Sequence, residues 1–154
     1  MVRIKPKTTI RMSLTGNCDS HSRSRISVRD VTSTIDEPVE RGGTNEGLTP
    51  TETLMASLIG CTNVISNKIA HKMGLEIAHM DITLSSDFNR RGVTLAEEVD
   101  APFSNIVLNI EVKTDATADQ LDALKSDLQK FCPIAKVLRG SGITITENWT
   151  RVPL

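Results

Sequence analysis

Two cysteines carry the chemistry this chain offers. Cys132 stands directly before Pro133 in the run Phe131-Cys132-Pro133-Ile134-Ala135, and Cys61 lies 71 residues earlier inside an apolar helical pattern. Proline suits the first position of a helix and disfavours helical backbone in the residue before it, so Cys132 is predicted to cap a helix start. Free backbone N–H groups there favour a thiolate, the form of cysteine that attacks and exchanges. Cys61 has a plainer reading beside the chemical one, as a small buried hydrophobe. A cysteine in the middle of a buried helix loses thiolate character through desolvation, so a reactive Cys61 needs a cation nearby. Arg23, Arg25 and Arg29 share one parity along a predicted strand and are either a solvated face or the source of that cation. Cys18 and His21 have Cys-x-x-His spacing, but no second pair completes a site, so neither metal nor cofactor is expected.

The elements that position these groups are marked by caps and periodicity. Thr49-Pro50-Thr51-Glu52 combines a capping box with proline at the first helical position. Leu54, Leu58, Cys61, Ile65 and Ile69 then recur at three- and four-residue steps until His71-Lys72-Met73-Gly74 ends the helix. Met55, Ile59, Val64 and Met73 widen its apolar surface, and Ala56, Ser57, Gly60 and Ser66 admit a close neighbour, so the helix is predicted to be central and buried. Before it, Ile26 and Val28, then Val31, Ser33 and Ile35, alternate with their neighbours about Arg29-Asp30 as a hairpin. Asp36-Glu37-Pro38 ends the hairpin, and Gly42 to Gly47 form a flexible loop. After the helix come strands at Met80–Leu84 and Ile106–Val112, with a polar loop from Asp87 to Asp100 between them. Thr117-Ala118-Asp119-Gln120 opens a second helix whose Leu121, Leu124, Leu128 and Phe131 share a face. A short helix to Gly140 and a closing strand through Ile143, Ile145 and Trp149 complete an α+β order.

Composition bounds the function. The chain has 154 residues, 18 basic against 19 acidic, and reads as a single domain over residues 1–154. A net charge of −1, three Phe, one Trp and no Tyr give neither electrostatic attraction to nucleic acid nor stacking platforms for its bases. No segment is long and apolar enough to span a membrane. The basic start Met1–Lys7 is followed by no apolar run and does not read as a secretory signal, so a cytoplasmic location is expected. Three cysteines in a reducing compartment are buried, catalytic or metal-bound rather than cross-linked.

Four features resemble the family of osmotically inducible protein C and the organic hydroperoxide resistance proteins. They are Asp36-Glu37-Pro38 with Gly42-Gly43, the segment Gly47-Leu48-Thr49-Pro50-Thr51-Glu52-Thr53-Leu54, Cys61 in Leu58-Ile59-Gly60-Cys61, and Cys132-Pro133 before a small helix. The resemblance implies an α+β intertwined homodimer, with long central helices packed against curved antiparallel sheets and active sites at the subunit interface. It implies thiol peroxidase chemistry in the service of oxidative-stress defence: Cys61 attacks an organic hydroperoxide, Cys132 resolves the sulfenic acid as a disulfide, and a dithiol reductant restores the pair. It also implies an activating arginine, for which Arg23 is favoured over Arg25 and Arg29, held by a glutamate at the start of the central helix. Here the chain departs from the peroxidases, because Thr51 stands where they carry that carboxylate and Glu52 falls one residue later. Nine helical residues at about 100° each put Glu52 on the far side from Cys61, where capping is its economical role. The departure is similar to the broader OsmC-like branch, and the alternative to an enzyme is a non-catalytic dimeric module binding an apolar small molecule at the interface.

Overall fold

The computed structural model describes residues 8–154, so the basic start at residues 1–7 lies outside the described residues. The chain forms two compact units, one up to Leu54 and one from Met55 to Leu154. Its elements are mixed α+β, as expected.

The first unit holds a three-stranded antiparallel sheet, β1 (Thr15–Cys18), β2 (Ser24–Val28) and β3 (Val31–Ile35), in that spatial order. The hairpin turns at Arg29, whose φ of 53° closes the two-residue connection. Strand β1 was not visible in the sequence, because Thr-Gly-Asn-Cys carries no apolar alternation. Residues 36–48 leave β3 and return beside it, with Asp36 N–H donating to Leu48 O at 3.0 Å. Two glycines permit this fold of the loop, since a Cβ on Gly43 would overlap the Glu37 carbonyl and one on Gly47 the Thr34 carbonyl. The first turn of α1 (Pro50–Met73) closes the unit, capped by Thr49 and Glu52.

The second unit packs helices on one face of a sheet ordered β4 (Ile77–Phe88), β5 (Phe103–Thr114), β6 (Thr144–Pro153). The central strand β5 points Ile106, Leu108, Ile110 and Val112 into the core, alternating with solvated neighbours. Against them lie α1, α2 (Ala118–Phe131) and α3 (Pro133–Gly140), through Leu58, Ile69, Leu124, Leu128 and Leu138. One expectation is corrected here: this sheet is mixed, because β5 and β6 run parallel. Their connection contains both α2 and α3, and a helical crossover returns the chain to the same end of the sheet. Strands β4 and β5 also extend beyond the predicted limits, to Phe88 and Phe103, whose rings stack with centroids 4.9 Å apart.

Helix α1 buries a different stripe from the predicted one. Met55, Leu58, Thr62, Ser66, Ile69 and Ala70 are buried, while Cys61 and Ile65 are half-buried and Val64 is exposed. No helix among the described residues is long and apolar enough to cross a membrane.

Candidate functional site

The second unit brings the two singled-out cysteines together. Cys132 is the joint between α2 and α3: its N–H donates to Leu128 O at 2.9 Å, and its own carbonyl accepts from Lys136 N–H at 3.1 Å. Its backbone is extended (φ −72°, ψ 108°) and Pro133 follows at the first helical position, the predicted cap. The side chain points into the core cluster that includes Leu58, Leu128, Ala135 and Leu138, and none of it is exposed. There its Sγ lies 3.1 Å from the Sγ of Cys61. Both are free thiols. The separation is about 1 Å more than a disulfide bond length. Cys61 is half-buried, so a reagent from solvent reaches it and not its partner.

The electrostatics of Cys132 correct the expectation of a thiolate at a helix start. The cap geometry is present, with Ala135 N–H donating to Sγ at 3.5 Å. Burial outweighs it and pushes the Cys132 thiol up to about 11, with the hydrogen bond to Cys61 acting in the same direction. Cys132 is therefore a neutral thiol at physiological pH. Phe131, predicted to share a face with Leu121, Leu124 and Leu128, is 58% exposed where those three are buried, because the chain breaks direction at the next residue. It borders a shallow groove of about 240 Å³ lined also by Ile65, Lys68, Ile69, Lys72 and Asp127.

The first unit sorts the three arginines. Arg25 pairs with Asp19 on the surface, and Arg29 occupies the exposed hairpin turn. Arg23 is only 29% exposed in its side chain, and its Nη1 donates to Glu46 Oε2 at 2.8 Å and Thr44 Oγ1 at 3.3 Å. The partner is thus a loop glutamate. Glu52, at the helix start, accepts from Thr49 N–H at 2.8 Å and completes a capping box, which holds its carboxyl below the usual range. Beneath Thr44 lies Asp36, fully buried, accepting from the Thr44 hydroxyl at 2.6 Å and from the N–H groups of Glu37, Thr44 and Glu46. The Thr44 hydroxyl first, and these backbone donors with it, hold the Asp36 carboxyl far below its ordinary range despite burial. Sequence reasoning missed Asp36, Thr44 and Glu46 as a network, and the glycines of the loop were the one local signal of it. Cys18 is exposed and accepts from Ser24 Oγ at 3.5 Å, and no cluster of three or more metal-ligating side chains forms among the described residues.

The sequence matches the family described as OsmC-like protein over residues 43–148, more than half of its length and inclusive of both cysteines. The chain belongs to the OsmC-like family. Solved OsmC-like structures share its fold. An OsmC-like protein from Mycoplasma pneumoniae is 18% identical, with a TM-score of 0.78 over 93% of this chain and 98% of that one. An organic hydroperoxide resistance protein OsmC from Legionella pneumophila gives 13% identity and a TM-score of 0.68, covering 94% of this chain and 99% of that one. The organic hydroperoxide resistance protein OhrB of Bacillus subtilis gives 18% and 0.62, covering 92% and 98%. At these identities the likeness is one of fold. No curated protein matches the OsmC-like chain by sequence.

Proposed function

We propose that this OsmC-like chain is a thiol-dependent peroxidase that reduces organic hydroperoxides, with Cys61 attacking the peroxide and Cys132 resolving the product. The observation that carries the reading is the 3.1 Å approach of two free thiols of unequal burial. The Cys61 thiolate attacks the terminal peroxide oxygen: an S–O bond forms, the O–O bond breaks, and the alkoxide leaves and takes a proton to become the alcohol. Cys132 then attacks the sulfenic sulfur, so that an S–S bond forms as S–O breaks, and hydroxide leaves with the Cys132 proton as water. Two exchanges with a dithiol reductant return both thiols and release the oxidised reductant. A thiol held neutral by burial is inert toward peroxide, and in the second step its proton goes to the departing hydroxide as its sulfur attacks.

Arg23 is the cation of this scheme, supported by its fixed position against Glu46 and Thr44, whereas Arg25 and Arg29 are exposed. The working form is an intertwined homodimer in the cytoplasm. Support for the dimer comes from apolar surface exposed in one copy: Ile10, Met12 and Leu14 alternate like the apolar face of a strand, and Val64 on α1 is open beside Gly60, where a Cβ would meet nothing. The groove beside Phe131 supports the second reading, a non-catalytic module binding an apolar small molecule.

Turnover of cumene hydroperoxide with dithiothreitol separates the two. The peroxidase reading expects steady consumption by wild type and only background by Cys61→Ser. Equal slow consumption by both proteins removes it and leaves the binding module.

A further inference from the structure

The sulfur pair has a spacing that selects among soft ligands, quite apart from peroxide chemistry. Cys61 on α1 and Cys132 at the α2–α3 joint belong to one unit, and the Cys132 thiol donates to the Cys61 sulfur across 3.1 Å. At about 2.3 Å for each bond from sulfur to a soft centre, two thiolates stand about 4.6 Å apart on a linear centre and about 3.8 Å apart on a tetrahedral one. A pyramidal centre with near-right angles holds them about 3.3 Å apart, the value nearest to the observed approach. Zinc also requires a full tetrahedron of ligands, and no cluster of three or more metal-ligating side chains forms among the described residues. Trivalent arsenic is the soft centre of pyramidal shape.

Access and surroundings agree with this choice. Cys61 is half-buried and Cys132 has no exposed surface, so a reagent bonds first at Cys61 and then closes onto Cys132. Ile65, one helical turn beyond Cys61, and Phe131, the residue before Cys132, line the same groove of about 240 Å³ together with Ile69, which gives an organic substituent apolar surface beside the pair. The burial that keeps Cys132 protonated is no obstacle, because the condensation uses the thiol proton.

We propose that Cys61 and Cys132 together form a chelating site for trivalent arsenicals that carry one organic group. In its hydrated form such a compound has two hydroxyls on arsenic. Two S–As bonds form as two As–O bonds break, each hydroxyl leaves with one thiol proton as water, and arsenic stays trivalent, so no oxidant or reductant takes part. Occupancy engages both thiols and closes the pair to peroxide. The site depends on the approach of two thiols and not on peroxidase activity.

The test uses the full chain with Cys18→Ser as the parent, which leaves these two thiols alone, and phenylarsine oxide as the probe in the absence of peroxide. Intact mass is expected to show one phenylarsenic group per chain with two thiol hydrogens lost, where an adduct through one sulfur retains a hydroxyl on arsenic. Glutathione, a monothiol, is expected to strip the parent adduct about a hundredfold less effectively than it strips Cys61→Ser or Cys132→Ser, whereas 2,3-dimercaptopropanol removes it. A hydroxyl-bearing adduct on the parent, or stripping by glutathione as readily as from Cys132→Ser, overturns the proposal. The first of these outcomes needs no substitution in the pair, so a variant that fails to fold does not decide the matter. Chelation by a chain that consumes no peroxide upholds this site while removing the peroxidase reading.

Discussion

Asp36 and Cys132 are both completely buried, yet the regions around them drive an ionisable group in opposite directions. The loop at 36–48 turns three backbone N–H groups and a hydroxyl toward Asp36 and keeps it charged. The α2–α3 joint offers Cys132 only the backbone N–H groups of Ala135 and Ile134 within an apolar cluster, and burial pushes its thiol up to about 11. Burial is common to both, so the donors decide the sign. One region is built to hold a charge, and the other to withhold one until a sulfur partner needs it.

The largest effects are expected where the contrast is broken at the sulfur pair. Cys61→Ser is expected to abolish peroxide turnover, whereas Cys132→Ser is expected to consume a single equivalent and then stall with Cys61 as a sulfenic acid, read by stopped-flow and by dimedone labelling. Opening the apolar region itself comes next. Leu128→Ala is expected to cost about 2–5 kcal/mol in denaturant unfolding and to expose Cys132 to alkylating reagents.

The two regions also predict opposite pH behaviour. The folded Asp36 carboxyl lies below its ordinary value of 3.8, so its contribution is full above that pH and is lost as pH falls further. Asp36→Asn is expected to lower the melting temperature at neutral pH and to flatten the acid limb of stability against pH. Folded Cys132 lies above its ordinary value of 9.0, so its contribution is full below pH 9.0 and declines up to about 11, and Cys132→Ala is expected to flatten the alkaline limb. The smallest change sharpens the role of the helix start. Thr49→Ala is expected to cost about 1 kcal/mol by removing half of the capping box, with little effect on turnover.

Much of this was legible in the chain wherever the signal was local. The capping boxes at Thr49 and Thr117, the turn at Arg29-Asp30 and the cap before Pro133 each depend on a few adjacent residues, and the structure forms all four. What escaped depends on partners distant in sequence. Parallel pairing of β5 with β6 has no local signature, and neither does the burial of Thr62 and Ser66 in place of Cys61 and Ile65 on α1. The Cys132 reading failed in an instructive way, because the local helix-start argument was correct in geometry and was outweighed by an apolar cluster assembled from three helices and strand β5. For Arg23, the sequence offered three arginines of one parity, and only the fold of the glycine loop distinguishes the one that is held by Glu46 and Thr44.

The central claim is that two thiols of unequal burial act as one redox unit, and intact-mass analysis with peptide mapping after one equivalent of cumene hydroperoxide tests it most directly. The account predicts the loss of two hydrogens per chain and one Cys61–Cys132 cross-link that dithiothreitol reverses, with Cys18 still free. Persistent free thiols, or Cys61 carried on to sulfinic acid beside an untouched Cys132, would contradict it.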